Sequence, residues 1–126
     1  MHKFNCRVYY EDTDAAGIVY YANYLKFIER ARTEALRKLG IYQSSIKEKF
    51  EIVFVVKSIC AYYFKPARLD DWLEIRTAFL SLGKVSFKIS QEIILEGNII
   101  FNAQIKLGVL NSVGKPTQLP KSIKEK

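Results

Sequence analysis

The apolar positions change period along the chain, and each change marks an element. From Phe4 to Tyr10 apolar and polar residues alternate, with Phe4, Cys6, Val8 and Tyr10 on one side and Asn5, Arg7 and Tyr9 on the other. A period of two predicts a strand. Asp12 to Gly17 breaks the alternation and reads as a turn or loop, with Gly17 free to take a positive φ. From Asn23 to Leu39 the spacing becomes helical: Tyr24, Ile28, Ala31, Ala35 and Leu39 recur on one face, with Leu25, Arg32 and Leu36 beside them. Lys26, Glu29, Arg30, Thr33, Arg37 and Lys38 take the opposite face, and Arg30/Glu34 and Glu34/Lys38 are opposite charges four residues apart. Glu29 is expected to pair with Arg32 or Thr33. Gly40 is a C-terminal stop. A short second helix is expected over Tyr42 to Lys49.

The remainder returns to strand periodicity. Ile52 to Phe64 is dense in Val, Ile, Phe and Tyr, and Pro66 ends it. Trp72 to Leu82 predicts a further strand. Val85 to Glu96 is the cleanest pattern, with Val85, Phe87, Ile89, Ile93 and Leu95 opposed to Ser86, Lys88, Ser90, Glu92 and Glu96. Gly97-Asn98 turns the chain. Ile99, Phe101, Ala103, Ile105, Leu107 and Val109 then form the inner face of a last strand, opposite Asn102, Gln104 and Lys106. Half-polar strands joined by short turns predict an antiparallel sheet of about five strands. One long helix and one sheet pack as two layers, an α+β fold in a single domain spanning 1–126. The outer face keeps Tyr9, Ile94, Ile100 and Leu110, so a homo-oligomer is expected.

Composition narrows the function classes. The chain has 126 residues, 49% of them hydrophobic and 26% charged, which excludes general disorder. No apolar run is long enough to span a membrane, and the N-terminus lacks the features of a signal peptide, so a cytoplasmic protein is expected. The two cysteines, Cys6 and Cys60, are isolated and read as small buried residues in a reducing compartment, with no metal site. The net charge of +7 favours an anionic partner: nucleic acid, anionic lipid and a phosphate-rich cofactor all qualify. The basic residues are dispersed, apart from Lys121, Lys124 and Lys126 in the tail, which read as a solvated end.

The chemistry concentrates in Tyr9 to Tyr24. Asp14 and Gly17 precede the long helix, and this order places a carboxylate within one turn of a helix N-terminus, where free N–H groups can hold developing negative charge. Carboxylate plus N–H donors is a minimal acyl-transfer site. The only histidine, His2, lies outside this stretch. The opposing reading of Asp14 is a turn or capping aspartate. Glu11 and Asp12 read as solvated or structural, and Asn23 as a helix cap before a substrate contact.

The stretch Asp14-x-x-Gly17-x-Val19-Tyr20-Tyr21-x-x-Tyr24, followed by Glu29-Arg30-Ala31-Arg32, resembles the 4-hydroxybenzoyl-CoA thioesterase type of hotdog-fold enzyme. Tyr62-Tyr63-x-x-Pro66-Ala67-Arg68-Leu69-Asp70-Asp71, the hairpin around Gly83 to Phe87, and Leu119-Pro120-Lys121-Ser122-Ile123 extend the likeness over nearly the whole chain. Within that type the chain is most similar to the Tol–Pal-associated acyl-CoA thioesterases. The resemblance implies a hotdog fold, a central helix wrapped by a curved sheet, and homodimers or homotetramers with active sites at the dimer interface. It also implies acyl-CoA substrates of short to medium chain or aromatic type, with no metal or redox cofactor.

The residue matching Asp14 is the catalytic one in that family, acting as nucleophile or general base. The backbone N–H near Tyr21 is the expected oxyanion donor. Gly17, Ile18, Val19, Tyr20 and Asn23 are expected to border the substrate, and Lys57 and Lys84 to meet coenzyme A phosphates. Tyr21 departs from the Tol–Pal-associated branch, where histidine is frequent at this position, so an imidazole mechanism is not expected. Tyr9, Tyr10, Tyr20, Tyr24, Tyr62 and Tyr63 are candidates for an acyl pocket or for core and interface aromatics.

Other classes remain. A nucleic-acid-binding domain suits the charge, but no RNA-binding strand signature is present. A non-catalytic acyl-CoA-binding hotdog protein would share every feature except turnover. A hotdog dehydratase would need a histidine in the site. A peripheral link to envelope or phospholipid-synthesis proteins stays open.

Overall fold

A computed structural model describes residues 1–124, the side chains of Ser122 and Lys124 excepted. Lys126 and those two side chains, part of the basic tail and its motif, lie outside the described residues. Strand β1 (His2–Arg7) leads through a short 3₁₀ turn at Tyr10–Asp12 to helix α1 (Asn23–Lys38) and helix α2 (Gln43–Phe50). Strands β2 (Val53–Tyr63), β3 (Trp72–Leu82), β4 (Ser86–Leu95) and β5 (Asn98–Leu110) follow, and a single turn of helix, α3 (Lys121–Lys124), closes the described chain. The five strands form one antiparallel sheet in the order β1-β3-β4-β5-β2. This is the hotdog arrangement, an α+β fold.

The alternation read from the sequence places Ile89, Ile93, Phe101, Ala103 and Ile105 in the core, and Leu73 and Ile75 of β3 join them, each almost fully buried. Helix α1 presents Tyr24, Phe27, Ile28, Ala31, Ala35 and Leu36 to that core. Burying each large apolar side chain contributes about 1.5–3 kcal/mol. The helix stops in a Schellman motif: Gly40, at φ +82°, donates to the Arg37 carbonyl, and Ile41 donates back to Leu36. Register shifts at Val56/Ser58, Phe79/Ser81 and Ile93/Ile94 bulge three strands, which is how a sheet curves. Among the described residues no helix is long and apolar enough to cross a membrane.

Several expectations are corrected. The first strand ends at Arg7, and Tyr10 enters the 3₁₀ turn fully in solvent, because Asp12 draws the Tyr9 N–H into a local bond at 2.8 Å. Ile94 and Ile100 are buried, and Ile99 is exposed: the shift between Ile93 and Ile94 exchanges faces at this end of β5. The β4–β5 turn is Glu96-Gly97, both at positive φ, one residue earlier than expected. Leu39 is partly exposed, and Phe27 and Gln91 take core positions that the periodicity passed over. Glu34 pairs with Arg37 at 3.5 Å, three residues away, in place of Arg30 or Lys38. Cys60 is exposed, because β2 is an edge strand.

Candidate active site

Asp14 opens a three-residue hairpin loop. Its N–H donates to Ile18 O at 2.9 Å, and Gly17 N–H donates to Asp14 O at 3.0 Å with Gly17 at φ +79°. This is a type I turn closed by a glycine in the left-handed region. Asp14 Oδ1 accepts the Ala16 N–H at 2.8 Å, which orients the carboxylate. Among the described residues Oδ2 accepts no hydrogen bond, and the side chain is exposed. The turn reading and the catalytic reading of Asp14 therefore use different oxygens of one group.

The hairpin is fixed on three sides. Thr13 bridges Val19, Ile18 bridges Arg68, and Val19 N–H donates to Ala67 O at 2.8 Å. Asp12 is buried; its carbonyl accepts the Tyr20 N–H at 3.0 Å and Asn23 Nδ2 at 2.9 Å. Asn23 is the first residue of α1 and fastens the helix to the hairpin; the N-cap is Ala22, which has no side chain to cap with. The expected cap role of Asn23 is thus replaced by a tether. Asp14 itself stands nine residues before the helix, on its own turn, and not in the first helical turn as the sequence suggested.

The chain from Tyr20 to Tyr24 carries the donors. Among the described residues neither the Tyr21 N–H nor the Ala22 N–H has an acceptor, and the positive end of the helix dipole lies here. The Tyr21 carbonyl is held by the Tyr63 O–H at 3.0 Å. Tyr24 is buried, stacks on Phe101 at 5.4 Å, and accepts the Ala67 N–H on its hydroxyl at 2.9 Å. Burial raises the Tyr24 pKa above the usual tyrosine value, so the hydroxyl stays protonated. Tyr63 is raised for the same reason, with Tyr21 and Tyr24 adding to it. Two of the candidate tyrosines are therefore braces of the backbone, while Tyr9, Tyr10, Tyr20 and Tyr62 are exposed.

The model of the family described as Thioesterase superfamily matches residues 16–102. The chain belongs to the thioesterase superfamily. It is 45% identical over 130 residues to the acyl-CoA thioesterase YbgC of Helicobacter pylori, with 95% of each chain covered. It is 42% identical over 125 residues to the acyl-CoA thioester hydrolase YbgC of Escherichia coli, covering 98% of this chain and 92% of that one. The crystal structure of a probable thioesterase from Bartonella henselae superposes with TM-score 0.91 at 35% identity, covering 94% of this chain and 98% of the other. This chain is a thioester hydrolase.

The structure does not bring the two candidate lysines of this thioesterase to Asp14 within one chain. Lys57 lies at the β2 bulge, six residues or roughly 20 Å of strand from Tyr63. Lys84 lies in the β3–β4 turn. The Lys57 stem covers Gly108, where an added Cβ would meet Lys57 Cδ at 2.8 Å. Lys88 and Lys106, which sequence reading passed over, stand directly opposite each other on the same outer face. Like charges directly opposed on adjacent strands cost stability, so this cationic end of the sheet is suited to an anion. A signal was present: both lysines are outward positions of strands whose phase the sequence made plain. Arg32 is half-buried on α1, and desolvation lowers its pKa, countered by Glu29. Among the described residues no carboxylate lies within 4.0 Å of Arg32, so the expected Glu29–Arg32 contact is a longer-range one.

Proposed function

We propose that this thioester hydrolase acts on acyl-CoA thioesters, with Asp14 as the catalytic carboxylate and the Tyr21 N–H as oxyanion donor. The observation that carries the reading is an exposed, half-free carboxylate on a tethered hairpin that leads directly into a helix start with two N–H groups lacking an acceptor among the described residues. The thioester carbonyl oxygen accepts the Tyr21 N–H. Asp14 then serves in one of two ways. As nucleophile, its free oxygen attacks the carbonyl carbon, the C–S bond breaks, the thiolate leaves, and water hydrolyses the resulting anhydride. As general base, it takes a proton from water, whose oxygen attacks, and the thiolate again departs. Every step uses the carboxylate, backbone donors and water, so the reading needs no metal or redox cofactor.

Gly17, Ile18, Val19 and Tyr20 shape the wall beside the thioester, and Lys57 and Lys84, with Lys88 and Lys106, are the cations offered to coenzyme A phosphates. The acyl group is read as short- to medium-chain or aromatic. A second copy of the chain completes the site. Among the described residues β2 pairs with β5 alone, so its outer edge leaves ladder groups open, and Val56, Ile59 and Tyr63 stand 50%, 40% and 45% exposed along it. Two such edges pairing antiparallel would cover these side chains and bring lysines of one protomer toward the hairpin of the other.

The test is thiol release from a panel of acyl-CoAs by wild type and Asp14→Asn. The asparagine is tolerated by the turn, because Asn111 already builds the same turn elsewhere: its Oδ1 accepts the Val113 N–H at 3.1 Å, and Gly114, at φ +80°, donates to its carbonyl. The expected loss is roughly 10²- to 10⁴-fold in kcat with folding and acyl-CoA binding retained. Binding of acyl-CoA by wild type without turnover would instead identify a non-catalytic binding protein.

A further inference from the structure

We propose that the acyl chain is received in trans, in an apolar cavity of the partner protomer, and that Phe54 is the wall that sets its length. The inference rests on the acyl-CoA thioesterase reading above. The cavity measures about 360 Å³, within the range of small-ligand sites. It is lined by Leu36 and Leu39 of α1, by Phe54 and Phe87, and by Leu119 and Ile123 of the C-terminal segment, and it opens to solvent beside the exposed Phe79 to Leu82 end of β3. Among the described residues no charged side chain lines it, so it suits a hydrocarbon chain and not a headgroup.

A smaller cavity of about 160 Å³ shares Leu36 and Phe54 with the first and reaches the β2 edge at Val56, past Arg32 and Gln43. The two are thus neighbours with one common ring between them. Phe54 is only partly buried and meets Phe87 edge-on at 5.1 Å. Phe54 and Leu36 form the shared wall, so truncating Phe54 would widen the passage from the edge cavity to the larger one.

Position decides which protomer supplies the chain. Within one subunit the large cavity lies at the C-terminal end of α1, and the Asp14 hairpin leads into the N-terminal end. Thirteen residues of helix separate Asn23 from Leu36, the nearest α1 residue of the cavity, about 20 Å. The edge strand runs the other way: β2 starts near Phe54 and ends at Tyr63, whose hydroxyl touches Tyr21. When two β2 edges pair antiparallel, the Tyr63 end of one protomer lies against the Phe54 end of its partner. A thioester held at Asp14 then faces the partner's Val56 and, behind it, the partner's Phe54.

The experiment is a chain-length series of saturated acyl-CoAs, from four to sixteen carbons, with kcat/KM measured for wild type, Phe54→Ala, Phe54→Leu and Phe54→Trp. Each methylene accommodated is worth about fourfold in kcat/KM. Phe54→Ala or Phe54→Leu is expected to move the optimum to longer chains and raise the long-to-short ratio at least tenfold. Phe54→Trp shortens it. The leucine variant carries the test should the alanine variant fail to fold.

Mixed dimers of Phe54→Ala with Asp14→Asn, isolated through two affinity tags, then separate trans from cis. The one working site pairs Asp14 of the first subunit with Phe54 of the second, so a wild-type chain ranking is expected. The Phe54→Ala ranking in that mixed dimer, or a monomeric active enzyme, overturns the trans assignment. An unchanged ranking in the folded, active Phe54 variants overturns the cavity assignment. Wild type inactive on every acyl-CoA strikes the proposed function itself, a result distinct from these.

Discussion

Gly17 offers a test of the proposal that the hairpin positions Asp14 for catalysis. Gly17 has φ +79°, and a Cβ built on it meets nothing within 4 Å. Gly17→Ala therefore adds no clash; its cost is the left-handed backbone alone, about 1 kcal/mol net of the stiffer unfolded chain. Gly114 is a matched control. It has φ +80° and equally open space, and closes the Asn111 turn through the same bonds: Gly114 N–H to Asn111 O at 3.0 Å and Asn111 N–H to Lys115 O at 2.8 Å. Both alanine variants should lose about 1 kcal/mol in urea melts at constant m, or about 3–5 °C in Tm for a domain of this size. Their activities should part. Gly17→Ala relieves its strain by shifting the turn that holds Asp14, and small misplacements of a reacting group are expensive, so kcat should fall tenfold or more. Gly114→Ala should stay within twofold of wild type. Gly17→Asn, a residue that tolerates the left-handed region, should recover most of both losses. Equal kcat in the two alanine variants would refute the claim that turn geometry positions the carboxylate. Unchanged stability in both would refute the strain argument beneath it.

Two further outcomes follow from buried groups. Gln91 Nε2 donates to Ile28 O at 2.8 Å and to Thr77 Oγ1 at 2.9 Å, while its Oε1 is buried without a partner. Gln91→Ala should cost about 3 kcal/mol in urea unfolding and Gln91→Met only about 1, because methionine fills the space and removes the orphaned oxygen; equal losses would show that the tether, not the volume, dominates. Burial raises the Cys6 thiol to about 11, so it stays protonated at pH 8, whereas Cys60 is exposed. A disulfide reagent at pH 8 should therefore modify one thiol quickly, and Cys60→Ser should abolish that phase and clear the background of the thiol-release assay; two fast thiols in the native protein would contradict the buried environment of Cys6.

Most of the scaffold was readable because burial on one face imposes a period. β3 runs from Trp72 to Leu82, as expected, and α1 differs from its predicted span by one residue. What the period missed are places where a second influence takes over. Gln91 sits on an inner face that alternation assigns to apolar side chains, and only its bonds to Ile28 and Thr77 make a buried amide tolerable there. Ile94, Ile99 and Ile100 exchange faces at a register shift, and three apolar residues of like size carry no mark of which one is displaced. In the site, Asp14, Gly17 and the helix start were legible as residue types, but the tether was not. Asn23 before a helix reads as a cap, and its bond to the Asp12 carbonyl depends on a 3₁₀ turn that the Tyr9-Tyr10 pair disguises as strand. The apolar cavity was invisible because Leu36, Phe54, Phe87 and Leu119 come from four segments with no sequence relation.

The chain builds one turn twice, and the comparison isolates what makes a site. Asp14-Ala15-Ala16-Gly17 and Asn111-Ser112-Val113-Gly114 share their backbone bonds, one side-chain bond and their left-handed glycine. Asn111 Oδ1 also accepts the Lys115 N–H at 3.0 Å, a bond Asp14 lacks. The turn is therefore a structural commonplace that either side chain supports. Two further differences remain. An amide oxygen is neither a useful base nor a nucleophile that can carry an acyl group, while a carboxylate with one free oxygen is both. The continuations also diverge. After Gly17 the chain passes through Val19 and Tyr20 into the uncapped start of a sixteen-residue helix; after Gly114 it bridges Leu110 through Pro116 and leads to the C-terminal segment. Local turn chemistry thus accounts for how Asp14 is held. The proposed reactivity of Asp14 rests on the Tyr21 and Ala22 N–H groups that the next eight residues supply; among the described residues these have no acceptor, because they stand just before the hydrogen-bond ladder of α1 begins.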